Sequence, residues 1–241
     1  MFGAPTPLLA RRRALLLLAS LAVTSAAATG CASARPAEGE RDLVVLLHGM
    51  GRSQFSMVPL EISLRRAGYR TLNVGYSSFG PSIAEITDEV GAAVDRAVAQ
   101  EAPRQVHFVG HSLGTILTRS LLATDRRPER LGRVVMLAPP NQGSAQADRM
   151  APWVGWMLRP IGELRTSGST VAALPPPPAG VEIAIIAGDT DGKVTVDESR
   201  LDGATEHVVV RSGHTFIMQR PTVMRMVRCF LETGETGACE G

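Results

Sequence analysis

The segment Gly110-His111-Ser112-Leu113-Gly114 decides the architecture of this chain. It follows the apolar run Val106–Val109 and precedes the helical stretch Thr115–Thr124. A G-x-S-x-G segment between a strand and a helix forms a sharp turn that lifts the serine hydroxyl above the carboxyl edge of a parallel sheet. Because the two glycines have no side chains, the backbones of strand and helix can pass closely without a steric clash. The pattern therefore makes Ser112 a candidate nucleophile.

Apolar runs alternate with amphipathic stretches from Asp42 onward, which is typical of a parallel sheet covered on both faces. The runs that predict strands are Val44–Leu47, Tyr69–Val74, Val106–Val109, Val134–Leu137, Val181–Ala187 and His207–Val210. Ser56 is a candidate helix cap, Ser82-Ile83-Ala84-Glu85 is a capping-box pattern, and Pro221 begins the last helix. The prediction is an α/β fold with a mostly parallel, doubly wound sheet of about six strands.

The position of each histidine relative to the sheet selects a candidate base. Ligands bind at the carboxyl ends of parallel strands, and His214 follows the sixth predicted strand, so it lies on the same edge as Ser112. His207 begins that strand and is expected at the opposite edge. His107 lies within a strand, and His111 occupies the variable position of the serine turn. His214 is therefore the predicted general base.

Two acids are candidates for orienting that imidazole. Asp189 and Asp191 both follow the fifth predicted strand, so both qualify by position alone. Either one gives the chain order serine, acid, histidine.

A family resemblance rests on three segments at this edge. They are His48-Gly49-Met50-Gly51, the G-x-S-x-G turn, and Asp191-Gly192-Lys193-Val194. Together they resemble the α/β-hydrolases, in particular small bacterial lipases and esterases, over Leu43–Leu231. The resemblance implies that Asp191, in a D-x-x-V pattern, is the acid, and that Asp189 forms a turn bonded to its own loop. It also implies an oxyanion hole built from the backbone N–H of Met50, beside that of Leu113 at the start of the helix.

The resemblance implies a serine hydrolase that acts on a small-molecule or lipid carboxylic ester, with neither cofactor nor metal. Amidases, peptidases and thioesterases use the same triad, so they remain alternatives, as does a non-catalytic envelope binding protein that keeps the fold. Nucleic acid is not an expected partner, because basic and acidic residues nearly balance once Arg11, Arg12 and Arg13 are set aside. The sequence does not indicate an oligomeric state.

The connection at about residues 141–180 is predicted to be a cap-like insertion. Apolar residues recur there at helical spacing: Met150, Trp153, Val154, Met157, Leu158 and Ile161. The stripe fits either a small cap that shapes the acyl pocket or core packing under a long connection. Just before it, Pro139–Gly143 fits a turn or a pocket wall.

Residues 1–31 have the layout of a secretory signal, with a basic cluster, an apolar run of about ten residues and small residues up to Cys31. Ala28-Thr29-Gly30-Cys31 resembles a bacterial lipobox, in which the cysteine is lipidated. This predicts a lipoprotein of the bacterial cell envelope, bound to the membrane through Cys31. Residues 32–41 would then be a tether, and 42–241 the hydrolase domain. The alternative is a soluble secreted or periplasmic protein.

Cysteine usage fits an oxidising compartment. The chain has three cysteines, and lipidation of Cys31 would leave Cys229 and Cys239 as an even number. They can form a disulfide between the tail and the last helix, or remain a buried and a free thiol.

Overall fold

The computed structural model describes residues 41–239 and contains one sheet of six parallel strands. The strands are β1 (Leu43–Leu47), β2 (Arg70–Val74), β3 (Val106–His111), β4 (Leu131–Leu137), β5 (Ile183–Gly188) and β6 (Glu206–Val210). Their order across the sheet is β2-β1-β3-β4-β5-β6, and every neighbouring pair is parallel. The predicted fold class is therefore confirmed.

Helices cover both faces of the sheet. They are α1 (Val58–Arg66), α2 (Ile83–Glu101), α3 (Leu113–Leu122), α4 (Ala145–Val154), α5 (Arg159–Glu163), α6 (Thr170–Ala173) and α7 (Pro221–Thr233). Alternate strand residues feed two separate cores, because successive side chains of a strand point to opposite faces. Val45 and Leu47 belong to the core beneath α2 and α3, whereas Val44 and Leu46 pack with α1 and α7.

The helix starts follow the predicted capping residues in two of three cases. Ser82 and Glu85 form the capping box that opens α2, and Pro221 is the first residue of α7. The prediction that Ser56 caps the first helix is wrong. Ser56 lies inside a short 3₁₀ turn, Gln54–Met57, and its hydroxyl donates to the carbonyl oxygen of Ser53 at 2.8 Å. That bond uses the hydroxyl that a cap would turn toward the helix amides.

The carboxyl ends of the strands lie at one edge of the sheet. Beyond them come His48 after β1, Ser112 after β3, Asp191 after β5 and His214 after β6. His207 lies near the start of β6, away from this edge, where its Nε2 lies 2.9 Å from the hydroxyl oxygen of Ser199. The topology alone therefore brings the predicted site residues to one edge.

The connection between β4 and β5 contains three short helices rather than one long apolar helix. Helix α4 ends at Val154, and α5 begins at Arg159. Pro160 lies in the first turn of α5, where its missing amide costs no hydrogen bond, whereas it could not continue the hydrogen bonding of a helix that ran on from α4. The apolar stripe is therefore divided between two helices. Trp153 and Trp156 are 80% and 81% exposed, whereas Ile161 is buried.

The end of the chain is joined to α7 by a disulfide between Cys229 and Cys239, whose Cα atoms are 5.6 Å apart. Within residues 41–239, no helix is long and apolar enough to cross a membrane. The predicted signal, Cys31 and nearly all of the predicted tether lie outside the described residues.

Candidate active site

Ser112 lies on a strained turn between β3 and α3. Its φ is +51°, a left-handed conformation that a residue with a side chain adopts only when its surroundings enforce it. The Ser112 amide donates to the carbonyl oxygen of Leu137 at 2.9 Å, which fixes the turn against β4. A Cβ at Gly110 would lie 2.7 Å from the backbone of Gly114, and a Cβ at Gly114 would lie 2.3 Å from the carbonyl oxygen of Leu47. Both glycines are therefore required for strand and helix to approach so closely.

Ser112, His214 and Asp191 form a continuous hydrogen-bonded chain. His214 Nδ1 donates to Asp191 Oδ2 at 2.7 Å. The carboxylate can only accept, so the neutral imidazole is left with Nε2 as an acceptor, 2.9 Å from Ser112 Oγ. Ser112 and His214 are each 8% exposed, and the Asp191 side chain is 1% exposed. The hydroxyl therefore faces a base that is oriented by a buried acid.

The Asp191 carboxylate is fully engaged. Its second oxygen, Oδ1, accepts hydrogen bonds from the amides of Lys193 and Val194 at 2.8 and 3.0 Å. These two hydrogen bonds require the backbone to turn tightly directly after Asp191. The Asp189 carboxylate instead accepts one bond, at 3.2 Å, from the amide of Ser212. The expectation that Asp189 bonds to its own loop is therefore corrected, because its partner belongs to the loop after β6.

The amides of Met50 and Leu113 are both unused. Within residues 41–239, neither N–H donates to a protein acceptor. Leu113 begins α3, where the first amides have no partner inside the helix. Met50 and Ser112 line the same cavity. The loop after β1 and the first residue of α3 thus each offer one unused donor.

The loop that carries Met50 is held by residues that directly follow β2. The ring of Tyr76 stacks on the ring of His48, with centroids 3.9 Å apart, and its hydroxyl donates to the carbonyl oxygen of His48. Ser78 Oγ accepts a hydrogen bond from the amide of Gly51 at 2.8 Å. Burial lowers the pKa of His48 below its usual value, so this ring is neutral near pH 7. These contacts fix the direction of the Met50 amide.

A cavity of about 240 Å³ opens beside Ser112. Its apolar wall consists of Met50, Pro140, Ala147, Met150, Leu158, Ile161, Leu164 and Val194. The segment between β4 and β5 therefore shapes the cavity through α4, α5 and the turn between them. Trp153 and Trp156 are exposed and do not line the cavity. Pro140 contributes to the wall, so the turn after β4 also serves as a pocket wall.

The sequence of residues 44–169 matches the model of the Alpha/beta hydrolase family. This match covers more than half of the chain. The protein belongs to the α/β-hydrolase family.

Solved structures support the hydrolase fold. A Bacillus licheniformis lipase, BlEst2 in its mature form, superposes with a TM-score of 0.66 at 18% identity, covering 76% of this chain and 89% of the lipase. Phospholipase PlaB from Legionella pneumophila superposes with a TM-score of 0.63 at 15% identity, covering 78% of this chain and 57% of the phospholipase chain. A Silicibacter protein described as a putative thioesterase superposes with a TM-score of 0.61 at 19% identity, covering 78% of this chain and 73% of the Silicibacter chain. At these identities the likeness establishes the fold alone. Comparison with curated proteins finds none that matches this sequence.

The sequence did not predict a role for His111 in this hydrolase site. The variable position of the serine turn gave no signal of a role, yet its Nε2 donates to the carbonyl oxygen of His214 at 2.9 Å. Burial and the neighbouring His214 hold the pKa of His111 well below its usual value, so its ring stays neutral. Tyr76 and Ser78 were also missed, although their position after β2 places them at the carboxyl edge.

Metal-ligating side chains do not cluster among the described residues of the hydrolase site. In the part of the chain that the structure describes, no group of three or more His, Cys, Asp or Glu side chains could hold an ion. What the site contains is a hydroxyl, an oriented imidazole and two unused amides beside an apolar cavity.

Proposed function

We propose that this hydrolase is a serine carboxylic-ester hydrolase, an esterase or lipase, that works through Ser112, His214 and Asp191. The observation that carries the proposal is the hydrogen-bonded chain from Asp191 through His214 to Ser112, which ends at an apolar cavity. A serine hydroxyl is a weak nucleophile unless a base removes its proton as it attacks, and this chain of contacts supplies that base.

Each residue has a defined part in the proposed reaction. His214 Nε2 takes the proton of Ser112 as Oγ bonds to the ester carbonyl carbon. The oxyanion that forms faces the amides of Met50 and Leu113, whose preset orientation lowers its energy. When the tetrahedral intermediate collapses, the alcohol leaves with the proton from His214. Water then attacks the acyl-enzyme by the same route, releasing the acid and regenerating the Ser112 hydroxyl. Asp191 keeps the proton on Nδ1 and stabilises the imidazolium.

Labelling with a fluorophosphonate tests the nucleophile. We expect wild type to be labelled and Ser112→Ala not to be, with ester turnover lower by about 10⁴–10⁶, because nucleophile and base act as a unit. Ser120→Ala is the matched control, since Ser120 lies on α3 but does not line the cavity. Substantial turnover by pure, folded Ser112→Ala would contradict the proposal. An unlabelled, folded wild type would favour a binding protein instead.

The reaction subtype is tested by substrates that share one acyl group. Matched p-nitrophenyl ester, thioester and anilide substrates should rank the ester first in kcat/KM. A series of p-nitrophenyl esters from short to long acyl chains would then define the chain length that the cavity accepts. Preference for the anilide or the thioester would replace the ester assignment while leaving the triad in place.

We also propose that the protein is anchored in the bacterial cell envelope through a lipidated Cys31. The support is the basic, apolar and small-residue order of residues 1–31, which ends in cysteine. Several acyl chains are needed for stable anchoring, as on a bacterial lipoprotein. Wild type should partition into the detergent phase, and Cys31→Ser should not. An unmodified mature terminus at another residue, found by mass spectrometry, would indicate a secreted or periplasmic soluble enzyme.

A further inference from the structure

Two cationic side chains, Arg52 and Lys193, line the Ser112 cavity. No aspartate or glutamate within residues 41–239 lines it. Among the residues that the structure describes, neither cation forms an ion pair. They differ in this from Asp42, a buried charge that is neutralised by Arg104 at 2.7 Å.

Arg52 is held in place although none of the described acidic residues pairs with it. Its guanidinium carbon lies 5.4 Å above the ring centroid of Phe216, and the side chain is half-buried. A ring face stabilises a cation but leaves its N–H donors unsatisfied at the ring edge. Partly removing a guanidinium from water without an anion is costly, and an anionic ligand would offset that cost.

Lys193 is the only lysine of the protein, and its backbone is fixed beside the triad. Its amide donates to Asp191 at 2.8 Å, and its carbonyl oxygen accepts from the hydroxyl of Ser144 at 2.6 Å. The ammonium is thus carried on a rigid turn, with its exposed side chain at the cavity wall. Arg52 comes from the loop after β1 and Lys193 from the loop after β5, so the two charges reach the cavity from different loops.

We propose that Arg52 and Lys193 select ester substrates that carry an anionic group near the scissile bond. The inference rests on the proposed ester hydrolysis and names the substrate class for that same site. An anion in a cavity lined by these two cations, and by no acidic side chain of the described residues, gains attraction that a neutral ester of the same shape does not. The apolar wall then receives the uncharged part of the molecule.

The test uses two pairs of esters that differ in one charge. The monoanion of p-nitrophenyl adipate and its methyl ester place the charge on the acyl side. The anion 4-acetoxybenzoate and its methyl ester place it on the alcohol side. The ratio of kcat/KM for the anionic to the neutral member is compared among wild type, Arg52→Met, Lys193→Met and the double variant. Comparing enzymes on the same pair cancels the intrinsic reactivity of the substrates.

For at least one pair, we expect the ratio to fall about 3- to 10-fold in each single variant and further in the double variant. The wild-type ratio should also fall with added salt, because screening weakens attraction between partly exposed charges. Arg149→Met is the control, since Arg149 is an exposed cation on α4 that does not line the cavity, and its ratio should equal that of wild type.

An equal loss for neutral and anionic members in both pairs would overturn the proposal, because the cations would then act on the oxyanion or on the fold. An unchanged ratio in both pairs would overturn it as well. In either case, hydrolysis of the neutral esters and labelling of Ser112 would still support the esterase. If no ester is hydrolysed and Ser112 is not labelled, the proposed function itself fails, and this inference fails with it.

Discussion

His111 Nε2 donates a hydrogen bond to the backbone carbonyl oxygen of His214 at 2.9 Å. The residue before the candidate nucleophile therefore holds the loop that carries the candidate base. The two imidazole centroids are 5.0 Å apart. The distance between Ser112 Oγ and His214 Nε2 thus depends on a contact outside the triad itself.

We expect His111→Phe to lower ester turnover by about tenfold, because a net hydrogen bond contributes on the order of 1 kcal/mol and phenylalanine keeps the ring but not the donor. His111→Gln, which retains an N–H donor, should recover part of the activity. His207→Phe is the control, because His207 lies away from the active edge. Steady-state kinetics on a short p-nitrophenyl ester measures the effect. Equal activity of His111→Phe and wild type would show that the loop does not need this contact.

Buried histidines should make the fold less stable at mildly acidic pH. Burial is the main cause that lowers the pKa of His48, His107 and His111 in the folded protein. Below pH ~6.5 the unfolded chain takes up protons that the folded chain does not, so the free energy of unfolding decreases as pH falls. A fully neutral buried histidine contributes up to about 2 kcal/mol of this loss between pH 6.5 and 5.

Urea unfolding at pH 7.5, 6.5 and 5.0 measures this dependence. His111→Phe lacks one of the buried imidazoles, so its free energy of unfolding should fall less steeply than that of wild type between pH 6.5 and 5.0. The same slope in both proteins would mean that His111 is protonated within the fold.

The two aspartates after β5 should behave very differently. Asp191→Asn should lower turnover by about 10⁴, because the amide no longer fixes the required tautomer of His214. Asp189→Asn should change turnover only a few-fold, since its carboxylate accepts a single bond from the amide of Ser212. Steady-state kinetics of the two purified variants shows which aspartate is the acid. A reversed order of effects would transfer the role of the acid to Asp189.

Gly114→Ala should both destabilise the protein and reduce its activity. The added Cβ would lie 2.3 Å from the carbonyl oxygen of Leu47 and 2.9 Å from that of His48, and backbone atoms of a central strand cannot move aside cheaply. We expect a loss of about 3 kcal/mol in the free energy of unfolding, together with lower turnover as α3 and the Leu113 amide shift. Gly162→Ala is the control, because its added Cβ would meet no described atom within 4 Å beyond its chain neighbours and the backbone of its own helix. Comparable stability of the two variants would contradict this account.

The sequence predicted those parts of the fold that depend on local pattern. Alternating apolar runs indicated six parallel strands, and the strand that each polar loop follows placed Ser112, Asp191 and His214 at one edge. Strand bounds differ by a few residues, because strand pairing and not apolar character sets where a strand ends. β3 continues to His111, whereas β5 begins only at Ile183.

Contacts between distant loops were beyond sequence reasoning. The stacking of Tyr76 on His48 and the hydrogen bond from His111 to His214 join loops that follow different strands. The spacing of residues within one segment does not predict such contacts. The apolar stripe in residues 150–161 was misleading for a similar reason. Its residues have helical spacing, but α4 ends at Val154 and a second helix begins at Arg159, with Trp153 exposed and Ile161 buried.

Trp153 and Trp156, the only tryptophans, are both about four-fifths exposed on the segment that shapes the cavity. Indole emission of the native enzyme therefore already resembles that of solvated tryptophan, and global unfolding should change its wavelength little. Circular dichroism is the better signal for the stability measurements. The same fluorescence instead reports on this segment alone, because a ligand or detergent that covers the two indoles should shift it to the blue while the core stays intact.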